Sequence, residues 1–93
     1  MAITKFQVAS VDSGHTVSTD FGTSVINASV AVQGYNVSFG TTDHHVKTLN
    51  IKSSIAGISG STVSVSATCT MDDKTNHKAD GNVTVLVIAV CES

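Results

Sequence analysis

The stretch Val63-Ser64-Val65-Ser66-Ala67-Thr68-Cys69-Thr70-Met71 constrains the fold of this chain more than any other. Apolar and hydroxyl-bearing side chains alternate without a break. Successive side chains of a strand point to opposite faces, so a period of two marks a half-buried β-strand. One face packs on a core; the other is all Ser and Thr and is expected to be wet. A second stretch, Val83 to Val90, is patterned differently. Val83, Val85, Val87 and Ala89 form one apolar face, and Leu86, Ile88 and Val90 make the opposite face apolar too. A strand apolar on both faces is covered on both. In a two-layer domain one cover is the core. The other is expected to be a neighbouring subunit, with Leu86, Ile88 and Val90 in the contact.

The rest of the chain fits around these two strands. Ile3 to Val11 alternates loosely, and Asp12-Ser13-Gly14 is a turn signal. His15 to Thr19 reads as a short polar strand that Phe21-Gly22 breaks. From Val25 onward Ala28, Val30 and Val32 share one face. Gly34 interrupts them, and Tyr35, Val37 and Phe39 continue with the phase shifted by one residue. A glycine at a phase change inside a strand predicts a bulge or bend. Val46 to Ile51 reads as a strand with Leu49 and Ile51 on its buried side, Gly57 to Ser61 as a turn, and Asp72 to Gly81 as a polar loop. The chain has no Pro and no Trp, and Val and Thr are plentiful where helix formers are scarce. The expectation is an all-β fold: one small antiparallel β-sandwich of about six strands over residues 1–93, with a small barrel as the other arrangement.

Composition narrows the function. At 93 residues the chain makes one domain with a small core, a size at which oligomerisation often supplies stability. Charged residues are 13% of the chain against a usual value of about a quarter, while 41% is apolar. That balance points to surface covered by other subunits. The net charge of −2 lacks the basic footprint that phosphate neutralisation requires, so no nucleic-acid partner is expected. Met1-Ala2-Ile3-Thr4 does not read as a signal peptide, and the run from Val83 to Cys91 is too short for a membrane-spanning helix. The sequons at Asn27, Asn36 and Asn82 are what chance places in a Ser- and Thr-rich chain.

Catalysis is not expected. Neither a nucleophile elbow nor a glycine-rich phosphate loop is present, and Cys69 and Cys91 lie in apolar strands where a thiol is a poor nucleophile. If the last two long strands form a direct hairpin around the Asp72 to Gly81 loop, Cys69 falls opposite Thr84. Cys91 is then about 20 Å away, and a disulfide needs Cα atoms within about 7 Å. Both thiols are then reduced and buried; placing the two strands in different sheets would reopen the bridge.

Polar chemistry concentrates at Asp43-His44-His45, between two strand segments. Neighbouring residues on a strand diverge, so His44 and His45 cannot both reach one ion from a regular strand. The pair reads as one histidine packed inward, towards other strands or another subunit, and one turned outward near Asp43. The alternative is a metal site completed by His77, Asp72, Asp73 or a histidine of another subunit. The reading adopted assigns no metal and no cofactor. Asp43, His44, His45 and His77 are instead candidates for binding a ligand. Asp72, Asp73, Asn76 and Asp80 do not match the spacing of a twelve-residue calcium loop and read as a solvated hairpin loop. Of the few aromatics, Tyr35 and Phe39 read as core.

Gly34-Tyr35, Asp43-His44-His45-Val46, Gly60-Ser61-Thr62-Val63-Ser64-Val65, Asp72-Asp73 and Val83 to Ala89 together resemble a pattern in small bacterial and phage proteins. The likeness covers about two thirds of the chain, and Asp-His-His is its specific motif. At the level of fold the chain is similar to the H-type lectins. The likeness implies a six-stranded β-sandwich that assembles as a trimer and binds galactose-type sugars at subunit boundaries. Two functions are therefore expected. The first is a non-catalytic structural or adhesive module that homo-oligomerises within a virion, tail or surface particle. The second is a lectin-like module whose sugar site lies around Asp43, His44 and His77.

Overall fold

The computed structural model describes residues 2–38, 46–73 and 78–92. It is all-β, with seven strands in chain order: β1 Ala2–Asp12, β2 Thr16–Asp20, β3 Val25–Asn36, β4 Val46–Ser59, β5 Thr62–Asp73, β6 Lys78–Asp80 and β7 Asn82–Glu92. Every pairing is antiparallel. One sheet has the order β1-β7-β3; the other has the order β2-β5-β4, with β6 also paired to β5. The molecule is elongated, 54 × 17 × 16 Å. The expected sandwich is present; the described residues form seven strands where the patterning suggests about six.

The two patterned strands sit at the centres of the two sheets and face each other. Val63, Val65, Ala67 and Cys69 of β5 and Val83, Val85, Val87, Ala89 and Cys91 of β7 form most of the core, joined by Val11 and Phe21. Burial of each such valine is worth about 1.5–3 kcal/mol, an upper figure because the unfolded chain already hides some surface. Since β5 and β7 belong to different sheets, the direct hairpin between them is overturned. β5 runs on to Asp73, β6 returns along its edge, and the chain then crosses at Gly81 to the other sheet. Among the described residues of the expected solvated loop, Asp72, Asp73 and Lys78–Asp80 are strand, and Asp73 is buried at 2% exposure.

β4 occupies one edge of β5 along its whole length, so β2 and β6 share the other edge. The gap between them is closed by backbone from two turns. Gly14 N–H donates to the Ala67 carbonyl and Gly81 N–H to that of Cys69, both at 2.9 Å. Cys69 N–H donates to Ser13 Oγ at 3.0 Å. The expected turn after β1 is present: His15 N–H donates to the Asp12 carbonyl at 3.0 Å, with Gly14 at φ 80°. A type II turn needs that positive φ at its third residue, where glycine carries no steric penalty. At the opposite end Phe21 closes the core. There the Gly22 N–H and the Ser61 side chain hydrogen-bond to the Asp20 carboxylate, Gly22 most strongly, and hold its pKa below the ordinary aspartate value.

Two differences lie in β3 and β4. The register shift between Val32 and Gly34 is the bulge expected from the phase change, and a second shift lies between Val25 and Asn27. β4 extends to Ser59, well past the expected end at Ile51. Ser53 pairs with Ala67 on the inward side, so the apolar pattern lapses while the strand continues. Gly57 marks a bulge that returns Ile58 to the face of Ile55, and the turn itself is only Gly60-Ser61. Leu49 is exposed at 45%, not buried as its pattern suggests.

Gly81 is packed where no side chain fits. A Cβ there would collide with the Asn36 carbonyl oxygen and lie 2.7 Å from the Val37 Cβ. The backbone would have to move, and overpacking of this kind costs about 1–3 kcal/mol. Gly81→Ala is therefore expected to lower the thermal midpoint by several degrees. Calorimetry showing an unchanged midpoint would contradict the close approach of β3 to this turn.

Candidate functional site

The two outer faces of the sandwich differ in chemistry. On the β2-β5-β4 sheet the face is a field of hydroxyls. Thr16 Oγ1 and Ser66 Oγ lie 3.0 Å apart, and Ser18 Oγ and Ser64 Oγ 3.1 Å, each within hydrogen-bonding distance. This is the wet face expected of β5.

The outer face of the β1-β7-β3 sheet is apolar. Leu86, Ile88 and Val90 alternate with the core residues of β7 and point away from them. Register places Phe6 and Ser29 beside Ile88, Val8 and Ala31 beside Leu86, and Thr4 and Asn27 beside Val90. Phe6 is 61% exposed and Val8 58%. The outward rows at Thr4, Phe6, Val8 and Ser10 carry no charge; on this face Asp12 and Glu92 stand at the two ends.

β1 shows most clearly that this face is unusual. Lys5 pairs with Ala89 and Gln7 with Val87, so both point to the core side. Lys5 Nζ donates to the Phe21 carbonyl at 3.1 Å and Gln7 Nε2 to the Asp20 carbonyl at 2.8 Å. The strand therefore turns polar side chains inward at the rim and Phe6 and Val8 outward. An edge strand of a free monomer is normally patterned the other way. Phe6 and Val8 were missed in the sequence because Ile3, Ala9 and Val11 blur the alternation. The signal was the polar pair Lys5 and Gln7 interleaved with Phe6 and Val8.

A polar cleft of about 470 Å³ opens at the end where β1, β3 and β7 meet, lined by Asp12, His15, Asn36, Asp80 and Asn82 among others. Nothing in the sequence spacing groups these residues. Asp12, Asn82 and Asn36 come together as one row across three strands. The residues expected to carry ligand chemistry, Asp43, His44, His45 and His77, lie outside the described residues, as does Phe39. Among the described residues no group of three or more His, Cys, Asp or Glu side chains is placed to hold a metal ion. Tyr35, expected in the core, is 51% exposed: it faces inward opposite Val83, but on a strand that among the described residues is paired on one side only.

Cys69 and Cys91 are free and buried. The expected outcome holds although the hairpin assumed for it does not. Gly81 binds the Cys69 carbonyl at one end of β7, and Cys91 is near the other end. At ~3.3 Å per residue that separation is about 30 Å, far beyond disulfide reach. Burial pushes the Cys69 thiol pKa up, and the nearby Asp80 charge adds to it. A raised pKa leaves little thiolate, the reactive form. Thiol reagents are expected to label the native protein slowly and to modify both cysteines on denaturation. Rapid native labelling at Cys69 would contradict this placement.

The fold and its surfaces thus define a two-sheet β-sandwich with one apolar and one hydroxylated outer face. The chain matches no protein-family model, and no characterised protein or solved structure shows significant similarity to it.

Proposed function

We propose that this protein is a non-catalytic structural or adhesive module that self-assembles through the outer face of the β1-β7-β3 sheet, as a building part of a virion, tail or surface particle. The observation that carries this reading is the outward apolar set of Phe6, Val8, Leu86, Ile88 and Val90 on a face charged only at its two ends. An apolar face is matched only by another, and the remaining outer face of the sandwich is hydroxylated. The same face on a second copy is the match that the chain itself supplies. The likeness to the H-type lectins implies three copies, whereas the flat face itself argues for a pair. Sedimentation equilibrium at micromolar concentration reads the number directly, and a folded monomer throughout would refute the proposal.

A second reading, a lectin-like module, is favoured by the polar end cleft. Carboxylates, amides and an imidazole together can accept from and donate to sugar hydroxyls. A glycan array separates the two readings: binding supports the lectin, and silence across neutral sugars leaves the assembly module.

A further inference from the structure

We infer that two copies of this chain pair face to face about a two-fold axis running along β7, with the β1 flank of each copy seated over the β3 flank of the other. The inference rests on the assembly reading above and specifies its geometry and copy number.

Three observations lead there. First, the face is asymmetric across its width. The β1 flank carries Phe6 and Val8, and the β3 flank carries Ser29 and Ala31 at the same levels. Phe6 and Val8 stand well out from the sheet at 61% and 58% exposure. Large residues on one flank and small ones on the other make a ridge beside a trough. A two-fold axis in the plane of the interface and along the strands lays each ridge in the opposite trough. Phe6 then lies over Ser29 of the second copy and Val8 over Ala31. An in-plane axis across the strands would stack Phe6 and Val8 on their own kind and leave the small flanks apart.

Second, the axis follows the central strand, so Leu86 and Ile88 meet their counterparts. Residues on a two-fold axis contact themselves, and here those residues are the apolar centre of the face. Sheets packed this way sit about 10 Å apart with their strands rotated by about 30°.

Third, area favours full coverage. Three strands spaced by about 4.8 Å and eleven residues long give a flat footprint on the order of 500 Å² per copy. Two such footprints total about 1,000 Å² in projection and more in accessible surface. That reaches the ~1,200–2,000 Å² of stable interfaces only if the whole face is covered. A three-copy ring meets each flat face obliquely and buries part of it. The two-copy pair is therefore the arrangement this face supports.

The test is a swap across the axis, read by sedimentation. Phe6→Ser alone empties the trough, and Ser29→Phe alone sets two phenylalanines against each other. Each is expected to weaken the dimer by roughly tenfold or more. Phe6→Ser combined with Ser29→Phe moves the ridge to the other flank and is expected to restore affinity to within about threefold, because non-additivity of this kind marks direct contact. Leu86→Cys is expected to oxidise to a covalent dimer and nothing larger, since Cys69 and Cys91 are buried. A double variant as weak as either single, or a wild-type mass of three copies, overturns the two-fold geometry while leaving the assembly reading in place. A monomeric wild type overturns both.

Discussion

Val87→Asp is expected to leave no folded protein, as a far-ultraviolet spectrum without β signal and complete protease sensitivity would show. Val87 is fully buried between the two sheets at the middle of the core. The substitution forfeits about 1.5–3 kcal/mol of apolar burial and strands a carboxylate with no partner, at an effective cost of several kcal/mol. A domain of this size has about 5–15 kcal/mol in total. The loss consumes most or all of it. A folded Val87→Asp variant would mean that β7 does not face β5.

Ile88→Asp, one residue further on, is expected to do the opposite: the monomer stays folded and the assembly dissociates. Ile88 points away from the core beside Phe6 and Ser29, so its replacement leaves the inter-sheet packing intact. In the assembled protein it would set like charges against each other on a desolvated face, which costs several kcal/mol. An increase in dissociation constant of about a hundredfold or more is expected, with a circular dichroism spectrum unchanged from wild type. Leu86→Asp is expected to behave alike. If Ile88→Asp sediments like the wild-type oligomer, the face is not the interface. The contrast between neighbours 87 and 88 tests both sides of one strand with the same chemical change.

Asp43, His44, His45 and His77 make a separate point. Their spacing singles them out in the sequence, yet the described residues neither bring them together nor separate them. What the structure contributes to polar chemistry is the row of Asp12, Asn82 and Asn36. These residues are dispersed along the chain, and only backbone pairing between β1, β7 and β3 makes them neighbours. No local spacing could have announced that.

The sequence by itself determined which way the side chains of the two central strands face. The unbroken alternation from Val63 to Met71 and the doubly apolar run from Val83 to Val90 identify β5 and β7, their inward faces and the excess apolar face of β7. The turn at Asp12 to Gly14 and the bulge at Gly34 were equally legible, because backbone conformation there depends on one or two residues and their steric limits. Partnership was decided only by the tertiary structure. A period of two reports the face of a side chain and carries no information about which strand lies alongside. The connection after β5 could return in its own sheet or cross to the other. Pairing of β6 with β5 and the donation from Gly81 to the Cys69 carbonyl send it across. The same long-range pairing carries β4 through Ser53, where its apolar pattern lapses. It also sets Phe6 and Val8 beside Leu86 and Ile88, which turns a single apolar strand edge into a face.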